Sequence, residues 1–191
     1  MLRRGCILAS VFITLSCGSA MATHTSLGAN YGVTIYHPEV GDNTTIIGVP
    51  ASASTFQPGL RMGVSDEKMK NELYFDTGFS LLSGNGGVHT FVVTANYQYT
   101  FPSEKLSSPY VTAGVGAISA GGDVGPSGSI SALSADFGAG LGVRTKLQNG
   151  HGAFRIEARV DHIGEGKDRG TQVIESATLF GLKAGFDIWL D

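Results

Sequence analysis

The sequence predicts an all-β fold, an eight-stranded antiparallel up-and-down transmembrane β-barrel. Three observations carry that prediction. Beyond residue 23 no 3.6-residue apolar period persists, whereas apolar/polar alternation of period two recurs along the chain. The alternating segments are long enough to cross a bilayer as tilted strands, while no run of about 18 apolar residues follows the N-terminus for a helix to do so. Short polar turns also alternate with longer connections rich in Gly, Ser and Asp, as in barrels that put turns on one side of a membrane and loops on the other.

The first element is a leader. Arg3 and Arg4 precede a short apolar stretch from Cys6 to Cys17, and Ala20-Met21-Ala22 supplies small residues at a cleavage site. Residues 1–22 are expected to be a signal peptide removed after Ala22, with 23–191 as the barrel domain. An acylated Cys17 is the competing reading, but Thr14 stands where a lipobox wants Leu. Both cysteines fall in the leader, so the exported domain has no disulfide and needs another source of stability.

Eight strands are then expected over about 26–36, 53–64, 72–83, 88–101, 109–119, 132–147, 152–162 and 174–190. Ser65-Asp66-Glu67-Lys68, Pro102-Ser103-Glu104-Lys105 and Gln148-Asn149-Gly150-His151 form the short turns. Residues 37–52, 120–131 and 163–173 form the long loops, and only Gly84-Asn85-Gly86-Gly87 is short on the loop side. Strand two is the least regular, because Pro58 interrupts it and residues 45–50 read as a strand extension above the membrane. Strand five leaves open whether Tyr110 faces in or out.

The two faces differ in chemistry. Phe137, Leu141 and Val143 alternate with Asp136, Gly138, Gly140, Gly142, Arg144 and Lys146; Phe154, Ile156 and Val160 alternate with Arg155, Glu157, Arg159 and Asp161; Phe180, Leu182, Phe186 and Ile188 alternate with Gly181, Lys183, Gly185 and Asp187. A soluble sandwich alternates too, with its polar face in water. Here the polar face mixes glycine with charge, as a narrow filled tube requires. Its charges nearly balance: Arg61, Arg144, Lys146, Arg155, Arg159 and Lys183 are set against Glu72, Asp76, Asp136, Glu157, Asp161 and Asp187. Enclosed charges must pair, which a solvated face does not require. This charge network inside the lumen is the candidate site. Tyr97, Tyr99, Phe101 and Trp189 gather near the turn-side strand ends as an interfacial girdle, with Trp189 on the inward parity and placed to plug the turn-side mouth.

Composition and motifs exclude several classes. A formal net charge of −3 offers no basic face for nucleic acid. His24, His37, His89, His151 and His162 are scattered without metal-ligand spacing. The Gly121–Gly125 run lacks the Lys-Ser/Thr ending of a phosphate loop and the acidic spacing of a calcium loop. No cofactor and no metal are therefore expected.

The last strand ends Lys183-Ala184-Gly185-Phe186-Asp187-Ile188-Trp189-Leu190, a polar-x-Gly-x-x-apolar-x-apolar pattern. In it Lys183, Gly185, Ile188 and Leu190 are similar to the signal by which barrel assembly machinery recognises a final strand, although the chain ends Leu190-Asp191 without a terminal Phe. Together with the faces above, this ending resembles the small outer-membrane barrels of the OmpA-like and OmpX-like family. The resemblance covers the whole mature chain and is one of pattern. It implies an integral protein of the bacterial outer membrane with a filled interior, outer-membrane lipid and the assembly machinery as partners, and a structural or surface-interaction role through its loops. The extracellular ligand is not specified.

An enzyme is not expected. Lipid A deacylases of this architecture carry His-x-Ser near the outer end of a late strand; here Asp161-His162-Ile163-Gly164 keeps the His, but Gly164 replaces the nucleophile. A channel of small conductance is the main alternative, and a soluble lipocalin-like binder with apolar residues inside is another.

Overall fold

A computed structural model describes residues 24–39, 44–48, 59–82, 87–123, 128–148 and 150–190. The expected leader, with its cleavage site after Ala22, lies outside them, as do residues 53–58 of the expected second strand. The strands are β1 (His24–Pro38), β2 (Thr44–Gly48), β3 (Gly59–Ser65), β4 (Asn71–Leu82), β5 (Val88–Thr100), β6 (Ser107–Asp123), β7 (Ser129–Lys146), β8 (Gly152–Ile163), β9 (Gly166–Asp168), β10 (Thr171–Ile174) and β11 (Ala177–Leu190).

Each long strand pairs antiparallel with its neighbour in the chain, and β11 returns to pair with β1 from Thr25↔Leu190 to Pro38↔Ala177. The sheet is thereby an eight-stranded closed barrel, β1-β3-β4-β5-β6-β7-β8-β11. No helix among the described residues is long and apolar enough to cross a membrane.

The lower part of β1, His24 to Asn30, pairs with β3, and the upper part, Gly32 to Tyr36, pairs with β2. Among the described residues of the expected strand, Gly59 to Ser65 is paired with β1.

Two expected loops contain regular structure instead. Most of 120–131 is strand, because β6 and β7 stay in register to Asp123↔Ser129. Its small residues look like turn chemistry in sequence, but Ala120↔Ala132 and Gly121↔Ser131 are ordinary cross-strand neighbours. Segment 163–173 contains the β9–β10 hairpin, whose turn places Arg169 and Gly170 at positive φ (50° and 85°). The short turns after β3 and β5 occur where expected, and Gln148, Gly150 and His151, the described residues of the third, lie between β7 and β8.

Burial is inverted relative to a water-soluble protein. Exposed residues include Leu60, Met62, Phe91, Leu141, Phe154, Ile156, Phe180, Leu182 and Ile188, while arginines, carboxylates and amides fill the centre. The interior has two zones. Toward the turns it is ionic. Toward the loops Val92, Ile118, Ala132, Ile163, Ala177 and Leu179 form an apolar cluster, which Ile174 of β10 completes. Ser131 N–H donates to Asp168 Oδ2 (3.2 Å), tying β9 to the rim of β7.

Candidate functional site

Because every second residue of a strand faces the tube, the ionic zone gathers side chains from all eight walls. Glu72 (β4) receives two guanidiniums, Arg61 Nη2 from β3 at 3.0 Å and Arg144 Nη1 from β7 at 3.1 Å. Arg61 lies over the Tyr74 ring, 3.3 Å from its centroid, and its Nη2 donates to Gln98 Oε1 of β5 (3.1 Å). Ser26 of β1 donates to Glu72 Oε1 (3.0 Å). Walls β1, β3 and β7 are thus joined across the lumen to β4 through one carboxylate, and β5 is added through Arg61.

A second centre forms at Asp187 (β11). Arg155 of β8 grips it with Nε (2.5 Å) and Nη2 (2.9 Å), and Arg61 Nε approaches at 3.7 Å. The same Arg155 Nη2 donates to Asn30 Oδ1 (2.9 Å), whose Nδ2 donates to Asp76 (3.1 Å). Higher up, Arg159 pairs with Asp161 (2.6 Å) and more loosely with Glu157 (3.8 Å), while Lys183 Nζ stands 4.0 Å from Asp76. Tyr110 donates to Glu157 Oε2 (3.0 Å) and Tyr74 shares a hydrogen bond with Thr112 (2.8 Å).

Eleven of the twelve charged residues expected inside are buried: Arg61, Arg144, Arg155, Arg159, Lys183, Glu72, Asp76, Asp136, Glu157, Asp161 and Asp187. Lys146 differs. It has the inward parity, but it is the last residue of β7 and its side chain is exposed at the turn-side rim. Five cations therefore face six carboxylates. Tyr110 faces in, which settles strand five, and it fits because Gly142 lies opposite. A Cβ there would come within 2.6 Å of the Tyr110 ring. Beside the charged set, the uncharged Tyr74, Gln98, Asn30 and Asn96 are interior partners on the same parity. Trp189 is buried at the turn-side mouth, with Arg144 5.1 Å from its ring centroid. In the terminal pattern Lys183 and Gly185 point inward, and Ile188 and Leu190 outward.

At the turn between β3 and β4, Asp66 receives the N–H of Lys70 (2.8 Å), the N–H of Asn71 (3.3 Å) and the Asn71 amide (2.6 Å). Partial burial pushes its pKa up, but these donors and the Lys70 charge more than offset that and hold it below the usual carboxylate range. They also hold Met69 at φ 52°, a conformation sparse for non-glycine residues.

At the loop end His162 points to the outer face, its ring against Phe137 (centroids 5.1 Å apart) and its Nδ1 3.4 Å from Thr178 Oγ1. Gly164 donates its N–H to Ala135 O (3.0 Å) and accepts from Ser134 Oγ (2.6 Å). Among the described residues no group of three or more His, Cys, Asp or Glu could hold a metal ion.

Fold and interior define a class: small closed β-barrels with the outer-membrane architecture, apolar outside and ionic within. The chain is similar in fold to Neisserial surface protein A (TM-score 0.62, 14% identity, covering 86% of this chain and 96% of that one). Looser likenesses are the attachment invasion locus protein Ail of Yersinia pestis (TM-score 0.47, 14% identity, 88% and 100% covered) and the outer membrane enzyme PagL (TM-score 0.39, 17% identity, 85% and 98% covered). No family model matches the sequence, and no curated protein shows significant similarity to it.

Proposed function

We propose that this chain is an integral protein of the bacterial outer membrane with a structural or surface-interaction role and no catalytic activity of its own. The observation that carries the reading is the inversion of burial. Phe154 and Phe180 are 44% and 49% exposed, while their neighbours Arg155 and Lys183 are 3% and 4% exposed. Such a surface is stable only against lipid, where a closed barrel satisfies all backbone groups. The ionic zone braces the walls, the apolar zone with its β9–β10 cap closes the loop end, and the rim segments are left to meet other molecules. The ending with Lys183, Gly185, Ile188 and Leu190 serves as the recognition strand for barrel assembly machinery.

The absence of catalysis is supported by the region around His162. Thr178 Oγ1 stands 3.4 Å from its ring, Gly164 has no side chain at the position of the missing nucleophile, and the Ser134 hydroxyl bonded to Gly164 O belongs to the inward face, opposite to that of His162.

The test is direct. Folded protein is expected to migrate differently from boiled protein on a detergent gel, and a lipid-restricted probe is expected to label cysteines placed at Phe154 and Phe180 but not at Arg155 and Lys183. The reverse labelling, with free aqueous access to Arg155, overturns the reading. Steady large single-channel openings would defeat the filled lumen, and an altered lipid A mass profile in cells carrying the protein would defeat the absence of catalysis.

A further inference from the structure

The turn-side rim holds a concave site that neither the interior network nor the outer wall uses. The turns after β3 and β5 and the end of β7 meet there around a cavity of about 180 Å³, whose lining includes Lys68, Lys70, Lys146, Ser103, Ser108 and Phe101. Three cations converge on it, Lys68 and Lys70 from the turn after β3 and Lys146 from the end of β7. Among the described residues none of their ammonium groups lies within ion-pair distance of a carboxylate. The acidic residues of the same turns stay out of the lining: Glu67 and Glu104 are exposed, and Asp66 is turned onto the backbone of Lys70 and Asn71.

The turns are fixed in this arrangement. Thr100 N–H donates to Lys70 O (2.7 Å), Phe101 N–H to Pro109 O (2.9 Å) and Lys146 N–H to Leu106 O (2.9 Å). Lysine ammoniums with nearby hydroxyls suit a phosphate oxyanion. The neighbourhood indicates where that phosphate comes from. Phe101 belongs to the cavity lining and also stacks edge-to-face on Tyr99 (5.1 Å), next to exposed Tyr97, so the cavity tops an aromatic row on the outer face. Such rows sit at the level of lipid headgroups.

We infer that this cavity binds the phosphate of an anionic glycerophospholipid whose acyl chains lie along the outer face of β5. The inference rests on the reading of the chain as a membrane barrel. It makes the rim a lipid-selective collar: Lys146, displaced from the interior, pairs with lipid.

The experiment uses the full chain refolded into phosphatidylcholine vesicles doped with either spin-labelled phosphatidylglycerol or spin-labelled phosphatidylcholine, reading the motionally restricted fraction. Phosphatidylglycerol is expected to be preferred by about threefold or more, as for lysines at an anionic surface. The K68Q/K70Q/K146Q variant is expected to lose the preference while keeping the gel shift of a folded barrel. K105Q, a turn lysine outside the cavity, is expected to keep the preference. Equal restriction of both lipids in the folded wild type, or an unchanged preference in the triple variant, overturns the inference and leaves the barrel reading intact. Loss of the preference on adding inorganic phosphate at matched ionic strength overturns the lipid source in favour of a free anion. A wild type that neither shifts on the gel nor restricts any lipid takes down both readings.

Discussion

The two halves of the interior are filled by opposite means. Toward the turns, Arg61, Glu72, Arg155 and Asp187 are buried charges that exist only because each has partners on other strands. Toward the loops, Val92, Ile118, Leu179 and Ile174 touch one another and carry no charge. The difference teaches how a narrow barrel divides its work. Ionic cross-links specify which strands stand opposite one another but leave charges stranded if broken, whereas apolar filling is forgiving and accepts a cap from outside the wall.

The sharpest way to break this comparison is to remove one ionic partner. Arg155→Leu leaves Asp187 buried without its bidentate partner, and is expected to destabilise the barrel by about 3–5 kcal/mol. Urea unfolding in vesicles, followed by the fluorescence of Trp189, the single tryptophan, measures it. Arg155→Leu with Asp187→Leu should recover most of the loss, and a double variant as unstable as the single would show that pairing is not what matters.

In the apolar half Leu179→Ala is expected to cost about 2–3 kcal/mol, the low end for a buried leucine, because the β9–β10 cap can settle into the space. The same unfolding assay reads it, and a cost equal to that of Arg155→Leu would erase the contrast between the zones. Where ring and backbone meet in the ionic half, Gly142→Ala should cost about 1–2 kcal/mol by pressing on the Ile156 carbonyl and on Tyr110, and a neutral result would mean that neither depends on the gap.

The smallest effect lies outside both halves. With its pKa held below the ordinary carboxylate value, Asp66 contributes its turn stabilisation fully above the unfolded-state pKa and loses it as pH falls through the lowered folded-state value. Hydrogen exchange at the Lys70 and Asn71 amides should stay slow through mildly acidic pH and quicken only below the usual carboxylate range. Asp66→Asn should quicken it at all pH values.

Much of this was legible in the sequence. Period-two alternation locates the eight barrel strands and the sidedness of Arg155, Glu157, Lys183 and Asp187, because parity in a strand leaves only two choices. The pairing of Arg61 and Arg144 on Glu72 was not legible, since it depends on which residues stand level across the tube, and register between distant strands is not written in either one. Lys146 shows the limit of parity: a strand's last residue can have the inward phase and still lie beyond the tube. The apolar plug was hidden for a related reason. Val92, Ile118 and Leu179 occupy polar-phase positions, and the rule that the inside is polar holds only below the level of the cap. The β9–β10 hairpin was obscured by Gly164, Gly166 and Gly170, which look like loop chemistry and serve a tight hairpin instead.

The meeting of β1 with β11 has a consequence for biogenesis. The seam joins β1 to β11, strands far apart in the chain, so the wall stays open until both are in place, and until then both of its margins carry unsatisfied backbone groups. A sheet held open at this seam would present two edges able to pair with other copies of itself instead of sealing.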